Sequence, residues 1–564
     1  MTNDSWRDHP LRRALVVAAL GGAAALALWY WWLLGVPVPL PDAPSDRLAC
    51  VSYAPYRMPG QTPWDKDLVI SRDRIEEDLR TLSQRIGCVR TYSVAGGLAA
   101  VPSVAQQLGM EVLLGLWIGR DAADNEEEIA RGIGLARAHV GTVRAVIVGN
   151  EVLLRREQPA AALGGLIERV RKAVAQPVTY ADVWEFWLKH PELAPATSFI
   201  TVHILPYWED QPVPVDHAVD HVVEVFGKVR AAFPGREILI GETGWPSVGR
   251  SRAGATPSRV NQARFIREFS AAVQANQLPY NVVEAFDQPW KRQLEGAAGG
   301  YWGLFDAAGE AKFAFHGPVT EEARWRWGMA AAAVSALAFM ILGAFSLPAR
   351  SPGSVSVLLF AGAATGGALA AQTRNMLLTN RTPTEWAVSF SYLVLALAAA
   401  WLLSRALAAW VQGDEAPRPA PLWRVARTDS GADGPRDMTA TMLSVLRFAF
   451  LFGAATVCLL LVFDARYRDF PLALFAVPVL GFLLLAIAGV GGERPDGGDG
   501  VEERLLAAVM ALAAPIIVWS EGLANQHALA WAALCWMLAG SVGLARCSRR
   551  VPGKHEQAEQ RGDC

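Results

Sequence analysis

No glycine-rich phosphate loop follows the first β-like run of this 564-residue chain, no His/Cys/Asp cluster has the spacing of a metal site, and no basic stripe runs along any helix-like stretch. The first absence argues against a doubly wound nucleotide-binding fold. The second leads us to expect no catalytic metal. The third, with a net charge of −2, excludes nucleic acid as a partner. No cofactor is expected. Cysteine is scarce at six residues, and only Cys50 and Cys88 fall in the long polar stretch near the N-terminus. They occupy matching places in two β-like runs, and we expect buried free thiols there rather than a bridge.

Apolar sequence, in contrast, is abundant. At 52% hydrophobic the chain is too long for one ordinary domain and too apolar to be wholly soluble. Runs able to cross about 30 Å of hydrocarbon occur near 14–36, 327–347, 354–371, 386–404, 442–463, 470–490, 505–521 and 528–544, eight candidate spans. No small-residue cleavage site follows the first; Trp29-Tyr30-Trp31-Trp32 instead forms an interfacial belt, so this span reads as a retained anchor. Arg7, Arg12 and Arg13 place the N-terminus inside, and counting crossings puts Arg405, Arg418, Arg424, Arg427, Arg436, Arg546, Arg549 and Arg550 inside as well. Arg324, Arg326, Arg374, Arg381, Arg466 and Arg468 fall outside and dilute the bias. Arg447, near the cytoplasmic end of its span, is expected to snorkel. The expected organisation is an anchor and linker over 1–44, an exported domain over 45–320, seven membrane helices over 321–546 and a cytoplasmic tail over 547–564. The expected location is a bacterial inner membrane, with the polar domain in the periplasm and the lipid bilayer as a partner.

Within 45–320, short β-branched runs alternate with charge-bearing helical stretches. The runs at 48–53, 88–92, 111–116, 143–149, 178–181, 199–203, 238–241 and 281–285 make eight strand–helix units, which predicts an α/β fold, a (β/α)8 TIM barrel, joined to an all-α membrane part. Chemistry in such a barrel collects at the C-terminal strand ends. Glu151 ends the fourth strand after Val146-Ile147-Val148-Gly149-Asn150, and Glu242 ends the seventh after Ile238-Leu239-Ile240-Gly241. Two carboxylates placed this way suit a retaining glycosidase, in which one carboxyl protonates the leaving oxygen and the other attacks the anomeric carbon from roughly 5–5.5 Å away. The bland alternative for either Glu is a helix N-cap or a surface carboxylate. Other strand ends are also polar or aromatic: Tyr53, Arg90 and Tyr92, Trp117, Asp182, His203 and Tyr207, then Glu284, Trp290 and Lys291.

Gly149-Asn150-Glu151, Gly241-Glu242-Thr243-Gly244-Trp245-Pro246-Ser247, Val202-His203-Ile204-Leu205-Pro206-Tyr207, Phe286-Asp287-Gln288-Pro289-Trp290-Lys291 and Tyr301-Trp302-Gly303-Leu304-Phe305-Asp306 together resemble glycoside hydrolase family 17, the β-1,3-glucanases and glucanosyltransferases. The anchor, barrel and multi-span layout resembles bacterial membrane proteins named as β-(1,6)-glucan synthases. The resemblance implies Glu151 as general acid/base, Glu242 as nucleophile, Asn150 as donor to the sugar 2-hydroxyl and Tyr207 as the hydroxyl that holds Glu242. It implies a substrate-binding set of Tyr53, Arg90, Asn150, Tyr207, Trp245, Glu284, Trp290 and Lys291, with Arg90 as an ion-pair partner that shapes the site. Plant members carry Glu where this chain has Gln288. Trp184, Trp187, Trp208, Trp245, Trp290 and Trp302 are candidates for stacking on sugar faces or for packing. His203 reads as a satisfied strand-end histidine.

The implied function is β-glucan cleavage with transfer of the glycosyl unit to another glucan. An endo-β-1,3-glucanase is the simpler alternative, and a non-catalytic glucan-binding or export scaffold the alternative of another class. A glucan synthase or export machinery would be a partner. The Asp65-Lys66-Asp67 pattern, of the kind that holds a metal diphosphate, lies in the exported part, where no nucleotide sugar is supplied.

Overall fold

The computed structural model describes residues 10–347, 351–422, 438–490, 493–494, 500–544 and 549–550. The chain divides into two compact units, Pro37–Glu321 on one side and Met1–Val36 with Glu322–Cys564 on the other.

The first unit is a parallel barrel. Its strands are β1 (Leu48–Ser52), β2 (Ile86–Arg90), β3 (Glu111–Leu116), β4 (Val143–Asn150), β5 (Val178–Val183), β6 (Ile200–His203) and β7 (Ile238–Glu242), paired in that order. Their sequences are near-continuous runs of Val, Ile, Leu and Ala because both faces are covered: one packs on the surrounding helices and the other fills the barrel. The helices show the complementary pattern, with Leu163, Ile167 and Val170 buried on Ala160–Ala173 and seven residues from Val215 to Val229 buried on Val215–Ala232. Side-chain caps fix where several of them start: Asp121 accepts from the Ala123 and Asp124 amides, and Ser258 from that of Asn261.

The expected eighth strand is not a regular one. Residues 280–285 bridge β7 and β1 through isolated parallel pairings, Ile240 with Tyr280 and Val51 with Val282. The Asn281 amide side chain adds bonds to Ser52 Oγ at 2.8 Å and to the Gly241 carbonyl at 2.7 Å. Backbone bonds on both sides, among them Asn281 N–H to the Ile240 carbonyl at 2.8 Å and Ser52 N–H to the Val282 carbonyl at 2.9 Å, close the barrel, and the Asn281 side chain reinforces them.

Cys50 and Cys88 are joined in a disulfide, against the expectation of free thiols. The register explains it. Cys50 stands directly opposite Cys88 on adjacent strands, Cα to Cα 4.3 Å, and both point into the barrel among Leu113, Ala145, Ile147, Ala181 and Leu239.

In the second unit each expected span is a helix: Pro10–Gly35, Trp325–Ser346, Pro352–Thr379, Pro383–Gln412, Met438–Phe463, Leu472–Gly489, Val501–Glu521 and Gln526–Leu544. Seven of these are long and apolar enough to cross a membrane; Val501–Glu521, which opens on Glu502-Glu503-Arg504, falls short by composition. Small residues permit close packing. A Cβ on Gly366 would lie 2.2 Å from the Ala331 carbonyl oxygen, so only glycine fits that crossing. Arg447 does not snorkel. It is 5% exposed and gives Nε and a terminal nitrogen to both oxygens of Glu503 on a neighbouring helix, because Glu503 offers a charge partner nearer than water. Arg7, Arg424, Arg427, Arg436, Arg546 and the 551–564 tail lie outside the described residues.

Candidate active site

Glu242 is the last residue of β7, 7% exposed. Its Oε1 accepts from Arg90 at 2.9 Å and from the Tyr92 hydroxyl at 2.8 Å. Burial by itself would raise its pKa, but the fields of His203, Arg90 and Lys291 and the Tyr92 hydrogen bond outweigh burial and hold the carboxyl below the ordinary glutamate range. Tyr92 is a dependable donor because burial, and after it the Glu242 charge, push its pKa well above the ordinary phenol value.

Glu151 follows β4 on a distorted strand end. The β4–β5 register shifts between Ile147 and Asn150, Gly149 has φ +87° and Glu151 itself φ +52°. A left-handed non-glycine residue costs about 1–2 kcal/mol and must be held from outside. Here β5 holds it: the Glu151 amide donates to the Ala181 carbonyl at 2.8 Å, and the Leu153 amide donates to the Tyr180 hydroxyl at 3.0 Å. The Glu151 side chain stays 22% exposed at the barrel mouth.

His203, at the end of β6, spans the two carboxylates. Its Nδ1 is 2.9 Å from Glu151 Oε1 and its Nε2 is 3.7 Å from Glu242 Oε1. One ligand atom from each of Glu151, His203 and Glu242 lies within 4.8 Å of the others, so the two carboxylates face one small space at the barrel mouth. Such a triad meets the distance requirement for a metal ion, but the Arg90 guanidinium sits against it, 2.9 Å from Glu242 and 3.3 Å from His203, and a fixed positive charge there disfavours a cation.

Arg90 organises the floor. It is 1% exposed and also donates to the Gly241 carbonyl at 2.8 Å and to Asn150 Oδ1 at 2.5 Å. With its oxygen occupied, Asn150 keeps its NH₂ group for donation. Glu284 takes Lys291 Nζ on both oxygens, at 3.0 and 2.9 Å. Burial raises the Glu284 pKa, with Lys291 opposing it. For Lys291 burial lowers the pKa, yet Glu284, Glu295 and Glu242 together raise it, so the ammonium persists. Glu295 adds a further half-buried carboxyl, pushed up to about 7 by burial and by neighbouring carboxylates, with Lys291 opposing.

The structure thus brings Arg90, Asn150, Glu151, Glu242, Glu284 and Lys291 to one mouth and leaves three expected residues elsewhere. Tyr53 is fully buried, with its hydroxyl on Asp78 at 3.0 Å. Trp245 is fully buried, bonds the Thr256 carbonyl and packs on Tyr207 and Phe265, so it supports the wall and offers no face to a sugar. Tyr207 spends its one hydroxyl proton on the Arg250 carbonyl at 2.7 Å, and the phenol on Glu242 is that of Tyr92. Trp290 stays half-buried, its indole N–H donating to Gln288 Oε1 at 2.8 Å. Gln288 in turn donates to the Ala54 carbonyl at 2.7 Å, a bond a glutamate there could not make. Tyr92 and His203 are the site positions that the sequence undervalues; the signal for them is their place at strand ends beside Arg90 and Tyr207.

Residues 50–303 match the family model described as the BtgE/BtgC glycoside hydrolase domain. The chain is 24% identical over 260 residues to a glucan 1,3-beta-glucosidase of Saccharomyces cerevisiae, covering 42% of this chain and 83% of that protein. It is 29% identical over 235 residues to a glucan 1,3-beta-glucosidase of Schizosaccharomyces pombe, covering 38% and 72%. Among solved structures, an active-site mutant of the Rhizomucor miehei beta-1,3-glucanosyltransferase in complex with laminaritriose is similar at 25% identity, covering 49% of this chain and 98% of that one, with a TM-score of 0.42. Over residues 50–303 the chain thus resembles the β-glucan-active glycosidases of glycoside hydrolase family 17.

Proposed function

We propose that this protein is a membrane-anchored retaining enzyme that cleaves β-1,3-glucan by double displacement and passes the glycosyl unit to a second glucan. The observation that carries the reading is the pair Glu151 and Glu242 on opposite strands of one barrel mouth, one part-exposed and one buried under Arg90 and Tyr92, with donor atoms within 4.8 Å. The names of the yeast relatives support the β-1,3-glucan substrate.

In the first step Glu242 attacks the anomeric carbon while Glu151 gives its proton to the departing oxygen. Arg90 and Tyr92 both bind Oε1 of Glu242, which leaves Oε2 to form the bond. The same two donors keep the carboxylate ionised before attack and stabilise it as a leaving group afterwards. The NH₂ of Asn150 serves the 2-hydroxyl, an interaction that strengthens as positive charge grows on the ring. In the second step Glu151, now ionised, takes the proton of an incoming hydroxyl and Glu242 is released. A sugar hydroxyl gives transfer, with a 6-hydroxyl acceptor yielding the β-1,6 linkage; water gives hydrolysis.

The seven apolar helices support a multi-pass location in a membrane, and arginine placement supports a bacterial inner membrane with the barrel outside the cytoplasm. A barrel that transfers between glucan chains needs no nucleotide sugar in that compartment, and a glucan synthase or export machinery would supply its substrate. The direct test incubates the full chain in detergent with reducing-end-labelled β-1,3-gluco-oligosaccharides, beside Glu242→Gln. Products longer than the substrate, absent in the variant, are expected. Only shorter products would make it a glucanase, and no Glu242-dependent reaction would favour a binding scaffold.

A further inference from the structure

We propose that Trp64, on the loop between β1 and the helix Arg72–Ser83, is a glucan-binding residue that extends the cleft on the side of the sugar chain retained by the enzyme. The proposal rests on the function given above and assigns it a specificity determinant. Trp64 leaves 56% of its surface exposed, a large apolar area at an otherwise polar mouth. Its ring meets Trp117 edge-on at 5.6 Å and Trp290 edge-on at 6.2 Å. Trp117 follows β3 and Trp290 follows the closing segment 280–285, so the three indoles form a wall along one arc of the barrel mouth.

That wall joins the catalytic groups through single side chains. The Arg155 guanidinium lies 4.1 Å above the Trp117 ring and also donates to the Asn150 carbonyl, next to Glu151. Lys291 lies 5.9 Å over Trp290 and binds Glu284. The loop is anchored at both ends. Buried Arg57 ties its base to Asp78 at 2.6 Å and to the Ala307 carbonyl at 2.9 Å, and the Ile70 amide ties the stretch beyond the indole to the Gly96 carbonyl at 2.9 Å. The indole is therefore presented on a fixed stem, which lowers the entropy cost of binding.

Topology indicates which part of the substrate it meets. Glu151 on β4 and Glu242 on β7 divide the mouth into an arc over β5–β6 and an arc over 280–285, β1, β2 and β3. Arg90, Tyr92, Glu284 and Lys291, which surround the nucleophile, all lie on the second arc. The sugar attacked by Glu242 is bound on that side, and the chain attached to it continues past β1 and β3, where Trp64 stands. The ligand class follows from the surface: a β-linked glucose unit has equatorial hydroxyls and apolar C–H faces, which suit stacking on a flat indole with a polar rim.

The test measures kcat and KM of the full chain in detergent on β-1,3-gluco-oligosaccharides of two to six units, for the wild type, Trp64→Ala, Trp64→Phe and Glu242→Gln, beside thermal melting. The loss in kcat/KM for Trp64→Ala should grow with chain length to about tenfold at the longest, carried by KM, as for one lost aromatic contact. Trp64→Phe should recover most of it, and melting should not move. No loss, or the same loss at every length, overturns the proposal. If the wild type turns over nothing, or Glu242→Gln is as active as the wild type, the proposed function fails instead, and fluorescence titration with the six-unit oligosaccharide then decides: about tenfold weaker binding in Trp64→Ala upholds the Trp64 site, and equal binding overturns it.

Discussion

Each unit buries an arginine against a glutamate, and the two pairs are built differently. In the membrane-like unit Arg447 gives Nε and a terminal nitrogen to Glu503, which answers with both oxygens. Little bonding capacity remains. In the barrel Arg90 touches Glu242 through one nitrogen only and shares itself with Gly241, Asn150 and His203, while Tyr92 adds to the same carboxylate oxygen. One oxygen of Glu242 is left without a described protein donor. The lesson is that a buried ion pair is read by its unspent lone pairs: a closed fork-to-fork pair fixes helices against each other, whereas a one-sided clamp holds a carboxylate charged and still able to react.

The largest expected effect belongs to the barrel's other carboxylate. Glu151→Gln should lower kcat/KM on glucan by about 10²–10⁴-fold, the range of general acid catalysis, and a donor whose leaving group needs no proton should recover the first step. Parallel steady-state assays on natural and activated donors check this. In the closed pair, Arg447→Ala should cost about 3–5 kcal/mol of stability by stranding Glu503, whereas a paired Arg447→Met, Glu503→Leu change should be close to neutral. Thermal melting in detergent reads the stability, and kcat/KM at 25 °C should stay near wild type in both. If Arg447→Ala instead abolishes turnover in a protein that melts normally, the two pairs are not the different devices described.

Tyr92→Phe sharpens the barrel side of the comparison. Removing a hydrogen bond to a charged group costs about 1.5–3 kcal/mol, or roughly 10–100-fold in kcat/KM. The Glu242 pKa is depressed, so the stability and activity that depend on its charge are present above the ordinary glutamate value and lost only as pH falls through the lower folded value. The acid limb of kcat/KM in the wild type should therefore lie below about pH 4.3. In Tyr92→Phe it should move upward, as a pH–rate series will show.

The smallest effect concerns Glu295. Its folded pKa is raised to about 7, chiefly by burial, so the native state holds a proton that the unfolded chain has released. That contribution is fully present below the unfolded value and lost as pH rises through about 7. Glu295→Gln should flatten the dependence of melting temperature on pH over this window.

Much of this was legible in the sequence because it lies along one strand. Glu151 and Glu242 each close an apolar run, and strand polarity alone places both at the same mouth. What depends on neighbouring strands was not legible. Tyr92 and Tyr207 are both strand-end phenols, and only the closed barrel, in which β1 and the 280–285 segment lie between β2 and β7, shows that Tyr92 reaches Glu242 across the mouth while Tyr207 turns to Arg250. His203 looked self-sufficient until its two nitrogens were found facing two different glutamates. The Cys50–Cys88 bond needed the exact strand register, although the matching positions were visible. Trp245 carries the same composition signal as an exposed platform, and burial alone separates the two uses.

The central claim is a covalent glycosyl–enzyme on Glu242. A 2-fluoro-substituted β-glucosyl or laminaribiosyl donor with an activated leaving group slows the second step, and peptide mass spectrometry of the full chain then locates any adduct. One sugar added to the peptide carrying Glu242, and lost again when a glucan acceptor is supplied, is the expected result. An unlabelled Glu242 in an enzyme that still turns over natural glucan, with products of inverted anomeric configuration, would contradict the account.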